Sequence, residues 1–284
     1  MNQNENFPRE YLNVSYDSQS PAQKFDLFLP EKGDGPFPLV FFIHGGGWFT
    51  GDKADGQEAG FRRLLADGYA LASINYRLSG EAPHPAGIID CKTALRFIKA
   101  HAEEYHINPE AIAVAGDSSG GQYALLVALT PGDSRFDDLS RGYADQNEKV
   151  QAAVIWYPAT DLAETMRTVQ DGEYTGYGAQ FAWDNISRYL GKTITDVNDP
   201  LLKEASPVSY VNKDMPPVLL QHGDADTIAP VDQSKRMYQA IVKGAGADKA
   251  EFDILPGASH GDPAFETAEN MERVHAFLSE HGIR

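Results

Sequence analysis

The sequence has 284 residues, with 24 basic and 41 acidic side chains and a formal net charge of −17 with histidines neutral. That excess repels phosphate backbones and anionic bilayers, and no local Lys/Arg cluster offsets it, so nucleic acid and membrane surfaces are disfavoured as partners. A chain of this length buries roughly 75% of its unfolded surface without a staple, and its one cysteine, Cys91, cannot close an intrachain disulfide, which fits a reducing compartment.

In chain order, Met1 to Asn6 lack the basic and apolar regions of a secretory leader. The most apolar stretch, residues 39–43, falls far short of the about 20 residues a membrane span needs. The expected location is cytoplasmic. Residues 11–15 and 25–29 read as strands, with Phe25, Leu27 and Leu29 on one face as in a half-buried edge hairpin. From residue 39 the pattern changes. Short runs that are apolar on both faces (39–43, 70–74, 111–115, 153–156 and 218–220) alternate with segments of helical period. Such strands belong in the middle of a parallel sheet covered by helices. Ile88, Cys91, Leu95, Ile98 and Ala102 recur at helical spacing and form one apolar stripe. Phe61, Leu64 and Leu65 mark a shorter helix, and residues 231–242 and 266–278 two more. The alternation predicts right-handed crossovers in a doubly wound α/β sheet. With no repeat, low-complexity tract or linker, residues 1–284 read as a single domain. Residues 160–206 break the rhythm. They hold no strand where one is due, and carry Tyr174, Tyr177, Phe181, Trp183 and Tyr189 among acidic residues and glycines. A long aromatic insertion of this kind predicts a lid or pocket wall.

Three places carry chemistry. Gly116-Asp117-Ser118-Ser119-Gly120-Gly121 contains G-x-S-x-G, a pattern that chance alone produces in about one such chain in eight. Its context is stronger than the pattern. The strand 111–115 precedes it and a helix over 122–129 follows, so Ser118 occupies a tight strand-to-helix turn in which side chains at the flanking glycines would clash. A plain glycine-serine loop with Ser118 as helix cap is the bland alternative. His44-Gly45-Gly46-Gly47-Trp48 follows the strand 39–43 directly. Three glycines expose N–H groups around a small anion, but the continuation Thr50-Gly51-Asp52-Lys53 lacks the Gly-Lys-Ser/Thr of a phosphate loop. An oxyanion hole built from the N–H groups of Gly46, Gly47 and Ser119 fits better, with His44 bracing the loop rather than acting as a base.

The third place is a pair of loops, His222-Gly223-Asp224-Ala225-Asp226 and Ser259-His260-Gly261, each after a predicted strand. Both lie on the side where open α/β sheets bind ligands. A serine hydroxyl becomes a useful nucleophile when an imidazole takes its proton and a carboxylate fixes that imidazole's tautomer. The chain order Ser118, Asp226, His260 is the order α/β hydrolases use.

At these residues the chain resembles the α/β-hydrolase esterases with an HGGG loop, a group that includes hormone-sensitive-lipase-like carboxylesterases and smaller bacterial feruloyl and acetyl-xylan esterases. The resemblance also takes in Asn75-Tyr76-Arg77-Leu78, Pro85-Ala86, Asp90, Pro216-Pro217, His222-Gly223-x-x-Asp226 and Pro230, and covers the chain from about residue 37 onward. It implies a mostly parallel central sheet flanked by helices with a short lid insertion. It also implies Ser118 as nucleophile, Asp226 as acid, His260 as base and the Gly46, Gly47 and Ser119 amides as oxyanion hole. Ser119 departs from the usual Ala, adding a hydroxyl that competes for the imidazole of His260. The N-terminal region is too short for the large cap of the lipase-like members, which disfavours long-chain lipids.

The resulting expectation is a cofactor-independent serine carboxylesterase for small-molecule esters with short acyl groups, on acetylated or feruloylated carbohydrate. Trp48, Tyr177 and Trp183 are the candidate pocket residues. Amidases, peptidases and formamidases on the same fold are the enzymatic alternative, and a silent hydrolase-fold binding protein is the other. No metal site is expected: His101 and His106 do not share a helix face, and Asp224 and Asp226 lack the further oxygens of a calcium loop. The sequence leaves a homo-oligomer open.

Overall fold

The computed structural model describes residues 8–284; the leader reading of Met1 to Asn6 lies outside them. The strands are β1 (Glu10–Ser15), β2 (Lys24–Phe28), β3 (Phe37–Ile43), β4 (Ala70–Ile74), β5 (Ile107–Asp117), β6 (Ala152–Trp156), β7 (Val218–Gly223) and β8 (Ala250–Leu255). They form one eight-stranded sheet in the order β1-β2-β4-β3-β5-β6-β7-β8. Only the β1–β2 and β2–β4 pairings are antiparallel.

The two-sided apolar runs have the burial that their composition demands. Leu39, Phe41 and Ile43 of β3 face a core shared with helices α1 (Ala86–Ala100) and α2 (Ser118–Leu129). Val40 and Phe42, alternating with them, face a second core closed by the C-terminal helix at Ala268–Glu280. Cys91 is fully buried in the first core, as its place in the apolar stripe predicts.

Two expectations are corrected. The hairpin at the sheet edge is not half-buried at its second strand: β2 is paired on both sides, and the edge is β1. Asp26 of β2 is therefore buried, and it is accommodated because the Lys53 ammonium lies 2.9 Å from its carboxylate. The short helix predicted around Phe61 is a 3-10 helix, Phe61–Asp67, stopped by Gly68 at φ +92°.

Between β6 and β7 the chain inserts helices α3 (Leu162–Gln170), α4 (Tyr177–Tyr189) and α5 (Pro200–Glu204), with no strand. Asp161 and Asp199 cap α3 and α5 by accepting backbone N–H groups. Helices α6 (Asp232–Gly244) and α7 (Ala268–Glu280) complete the chain.

Register decides which loops meet. Ile43 of β3 pairs with Gly116 of β5, so the residues that follow, His44 and Asp117, start side by side. Gly223 of β7 pairs with Leu255 of β8, so the two loops after them also leave the sheet together.

Candidate active site

Ser118 stands at the junction of β5 and α2 with φ +52°, a left-handed conformation that costs a non-glycine residue about 1–3 kcal/mol and persists only where the surroundings enforce it. They do so sterically. A Cβ on Gly116 would lie 2.5 Å from the Gly120 carbonyl oxygen, and one on Gly120 would lie 2.1 Å from that of Ile43. The outer glycines of G-x-S-x-G are needed for this turn to exist.

The turn presents Ser118 Oγ 2.9 Å from His260 Nε2, and His260 Nδ1 donates to Asp226 Oδ2 at 2.6 Å. With Nδ1–H committed to the carboxylate, Nε2 is left as the acceptor of the serine proton. Asp226 also accepts the Ile228 and Ala229 N–H groups through Oδ1, and His222 Nε2 lies 3.3 Å from Oδ2. Burial pushes the Asp226 carboxyl up, but the hydrogen bonds from His222, His260 and Ala229 outweigh it and hold the group well below the usual carboxylate range. Asp224, two residues earlier, points elsewhere: its Oδ1 accepts the Gly257 N–H at 2.6 Å.

The glycine loop is pinned against the elbow. Gly45 N–H donates to Asp117 Oδ1 at 2.9 Å and to Gln57, and a Cβ on Gly45 would meet Asp117 Oδ2 at 2.7 Å. Gly46 and Gly47 adopt φ +117° and +60°. Among the described residues no protein acceptor takes the Gly46 or Gly47 N–H. Ser119 lies in the first turn of α2, where N–H groups have no partner within the helix. His44 braces the loop: its Nδ1 lies 2.8 Å from the Gly45 carbonyl, its ring stacks on Tyr76 at 4.6 Å, and burial lowers its basicity. The expected competition of Ser119 for His260 does not arise, because its Oγ is turned to accept the Trp48 N–H at 3.2 Å.

Beside Ser118 lies a cavity of about 50 Å³, walled in part by Trp48, Ala159, Phe181, Ile186, Ile228 and Ala229. A larger hollow of about 860 Å³, lined by Arg62, Arg63 and Leu65 among others, contains none of the residues near Ser118. Of the three candidate pocket residues, Trp48 lines the small cavity, while Tyr177 and Trp183 do not. Helical geometry is the reason. Trp183 is two residues from cavity-lining Phe181, hence on nearly the opposite face of α4, and it packs against the core instead. Tyr177 shares the face of Phe181 but sits at the exposed start of α4, 74% accessible.

Three neighbours receive no role from the sequence. Tyr157 lays its ring 4.7 Å from that of His260. Asp117 is buried, which raises its carboxyl to about 7 against the opposing contacts of Gly45, His260 and Tyr157. His222 is visible as part of H-G-x-x-D, but its second contact with Asp226 depends on how the loop folds. Among the described residues no group of three or more His, Cys, Asp or Glu side chains is placed to hold a metal ion, and no helix is long and apolar enough to cross a membrane.

The family model described as BD-FAE matches residues 25–241. The chain is 33% identical over 268 residues to the "Probable carboxylic ester hydrolase LipM" of Mycobacterium tuberculosis, covering 94% of this chain and 58% of that protein. It is 30% identical to "Esterase LipC" of the same organism, covering 90% of this chain and 61% of that one. The chain therefore spans about three fifths of the length of these relatives. Among solved structures, a truncated carbohydrate esterase from gut microbiota superposes with a TM-score of 0.85 at 28% identity, covering 99% of both chains. A Thermogutta terrifontis esterase with butyrate bound shares the fold, with a TM-score of 0.75 at 21% identity over 97% of this chain and 95% of that one.

Proposed function

This chain belongs to the BD-FAE family, and from that membership we propose that it is a serine carboxylesterase hydrolysing short-chain acyl esters of carbohydrates through an acyl-enzyme. The observation that carries the reading is the unbroken line Asp226–His260–Ser118, with contacts of 2.6 and 2.9 Å. As Ser118 Oγ attacks the ester carbonyl, its proton passes to His260 Nε2 and the carbonyl π electrons move onto oxygen. The Gly46, Gly47 and Ser119 N–H groups stabilise that oxyanion. Its collapse expels the alcohol, which takes the proton from His260, and water repeats the two steps to release the acid.

The relatives' names, an ester hydrolase and esterases, support the reaction class. The carbohydrate esterase among the similar structures supports a sugar-borne ester. The cavity next to Ser118 narrows the acyl group. At about 50 Å³ it is well below the about 150 Å³ that admits a benzene ring, which favours acetyl and similarly short groups over a feruloyl ring. Labelling by a fluorophosphonate probe that disappears in Ser118→Ala, with p-nitrophenyl acetate to butyrate hydrolysed faster than octanoate and palmitate, is the expected result. Anilides turned over as fast as the matching esters would favour the amidase alternative, and absence of labelling would overturn the reading.

A further inference from the structure

Helix α4 carries more than the wall of the acyl cavity. Phe181, Asn185 and Arg188 follow at intervals of four and three residues and share one face. The first two line the cavity beside Ser118. Phe49, next to Trp48 of the glycine loop, meets the same face. A Cβ on Gly47 would lie 3.3 Å from both Phe181 Cζ and Phe49 Cε1, so the two rings flank this glycine. The Arg188 guanidinium lies over the Phe49 ring, 4.5 Å from its centroid.

The placement of Arg188 is not what its own helix would select. Asp184 stands four residues before it, the acid-then-base spacing that suits an ion pair on a helix surface. That carboxylate instead accepts the Gln180 side-chain N–H at 2.9 Å, and among the described residues Arg188 makes no ion pair. An exposed arginine is thus stacked at the rim of the candidate site with its planar N–H edge uncommitted, in a chain of net charge −17. Guanidinium forks suit carboxylates through paired hydrogen bonds. At the far end of the same face, Tyr177 is exposed and pairs with Phe181 at 6.0 Å between ring centroids. Tyr177 to Arg188 spans about 16 Å of helix rise, room for a few sugar rings along an edge of aromatic faces that ends in a cation.

Resting on the esterase reading above, we propose that Arg188, presented by Phe49, is a carboxylate subsite, and that the favoured substrates are acylated saccharides containing a uronic acid. The acid sugar needs such a local cation, because the summed negative charge of the chain repels it at a distance while screening leaves contacts within a Debye length of about 8 Å to decide binding.

The test compares kcat/KM for an O-acetylated uronic-acid trisaccharide with that for the same trisaccharide carrying methyl-esterified carboxylates. The wild-type chain should favour the acid form by about fivefold, the scale of one solvent-exposed ion pair, and the preference should shrink in high salt. In Arg188→Gln the ratio should fall to about one through a rise in KM for the acid form, and in Arg188→Glu it should invert. A wild-type ratio of one or less, or a ratio unchanged in Arg188→Gln, overturns the proposal. Failure of the esterase reading is distinguishable, since it would show as no acetate release from either trisaccharide or from p-nitrophenyl acetate.

Discussion

His222 Nε2 lies 3.3 Å from Asp226 Oδ2, the same oxygen that His260 Nδ1 reaches at 2.6 Å. The ring of His222 is fully buried, with Nε2 also 2.8 Å from the Ala229 carbonyl and Nδ1 2.7 Å from Ser234 Oγ. Two acceptors face Nε2, so that nitrogen carries the proton and Nδ1 accepts from the Ser234 hydroxyl. One carboxylate oxygen is thereby held between two imidazoles. Replacing His222 by Phe removes a donor to Asp226 and strands the Ser234 hydroxyl. We expect kcat on p-nitrophenyl acetate to fall by about tenfold or more with KM little changed, on the scale of one lost hydrogen bond to a charged group. Partial recovery in His222→Gln, which restores a side-chain N–H, would tie the loss to that donor. Equal damage in both variants at unchanged Tm would speak against it.

The two carboxylates of the acid loop should separate cleanly. Asp226→Asn presents an amide that favours the wrong imidazole tautomer, and the expected loss in kcat is about 10⁴. Asp224 serves a turn by accepting the Gly257 N–H, so Asp224→Asn should stay within roughly tenfold of wild type, the scale of one local hydrogen bond. Steady-state kinetics of both variants, each checked for a wild-type melting curve, decide it. A crippled Asp224→Asn would remove Asp226 from its assigned role.

Asp117 makes stability depend on pH. Burial raises its folded-state carboxyl to about 7, while in the unfolded chain it titrates near about 4. The folded chain thus keeps a proton that the unfolded chain has released. The contribution to stability is full below about pH 4 and is lost as pH rises toward 7. Asp117→Asn keeps an acceptor for the Gly45 N–H and removes the titration. Relative to wild type, its unfolding free energy should therefore improve between pH 4.5 and 8, by an amount on the order of a few kcal/mol. Urea melts of both proteins across that range measure it; a constant difference would show that Asp117 does not titrate there.

The acyl cavity is bounded by α4, so Phe181→Ala should open it. Each methylene buried is worth about 0.8 kcal/mol, or about fourfold in rate if it is accommodated. The kcat/KM ratio of p-nitrophenyl butyrate to acetate should rise several-fold in this variant. A ratio equal to that of wild type would place the acyl group away from α4.

Much of the site is legible from residues that are near one another in the chain. G-x-S-x-G after an apolar strand announces a turn too tight for side chains, and the Gly116 and Gly120 contacts with backbone oxygens at 2.5 and 2.1 Å are the steric reason. Runs such as residues 39–43 and 153–156 are apolar at every position, so they have to be buried on both faces wherever they lie.

Other features depend on which surfaces meet. The hydrophobic alternation of residues 25–29 could not show that β2 would be covered on both edges, because that depends on the antiparallel pairing with β4. The aromatics of residues 160–206 were visible, but α4 can turn only one face to the cavity. Its packing left Trp183 half-buried against the core and brought Phe181 and Asn185 to Ser118. The sequence by itself determined the strand-helix alternation, the tight turn and the chemical types at the three loop positions, since each follows from local sterics and burial. The motif pattern already pointed to Asp226, but only the folded chain shows that Asp224 turns to the Gly257 N–H, that His222 shares the Asp226 oxygen, and that Ser119 accepts the Trp48 N–H. Those contacts are set by the register of neighbouring strands and the path of separate loops, which local spacing does not encode.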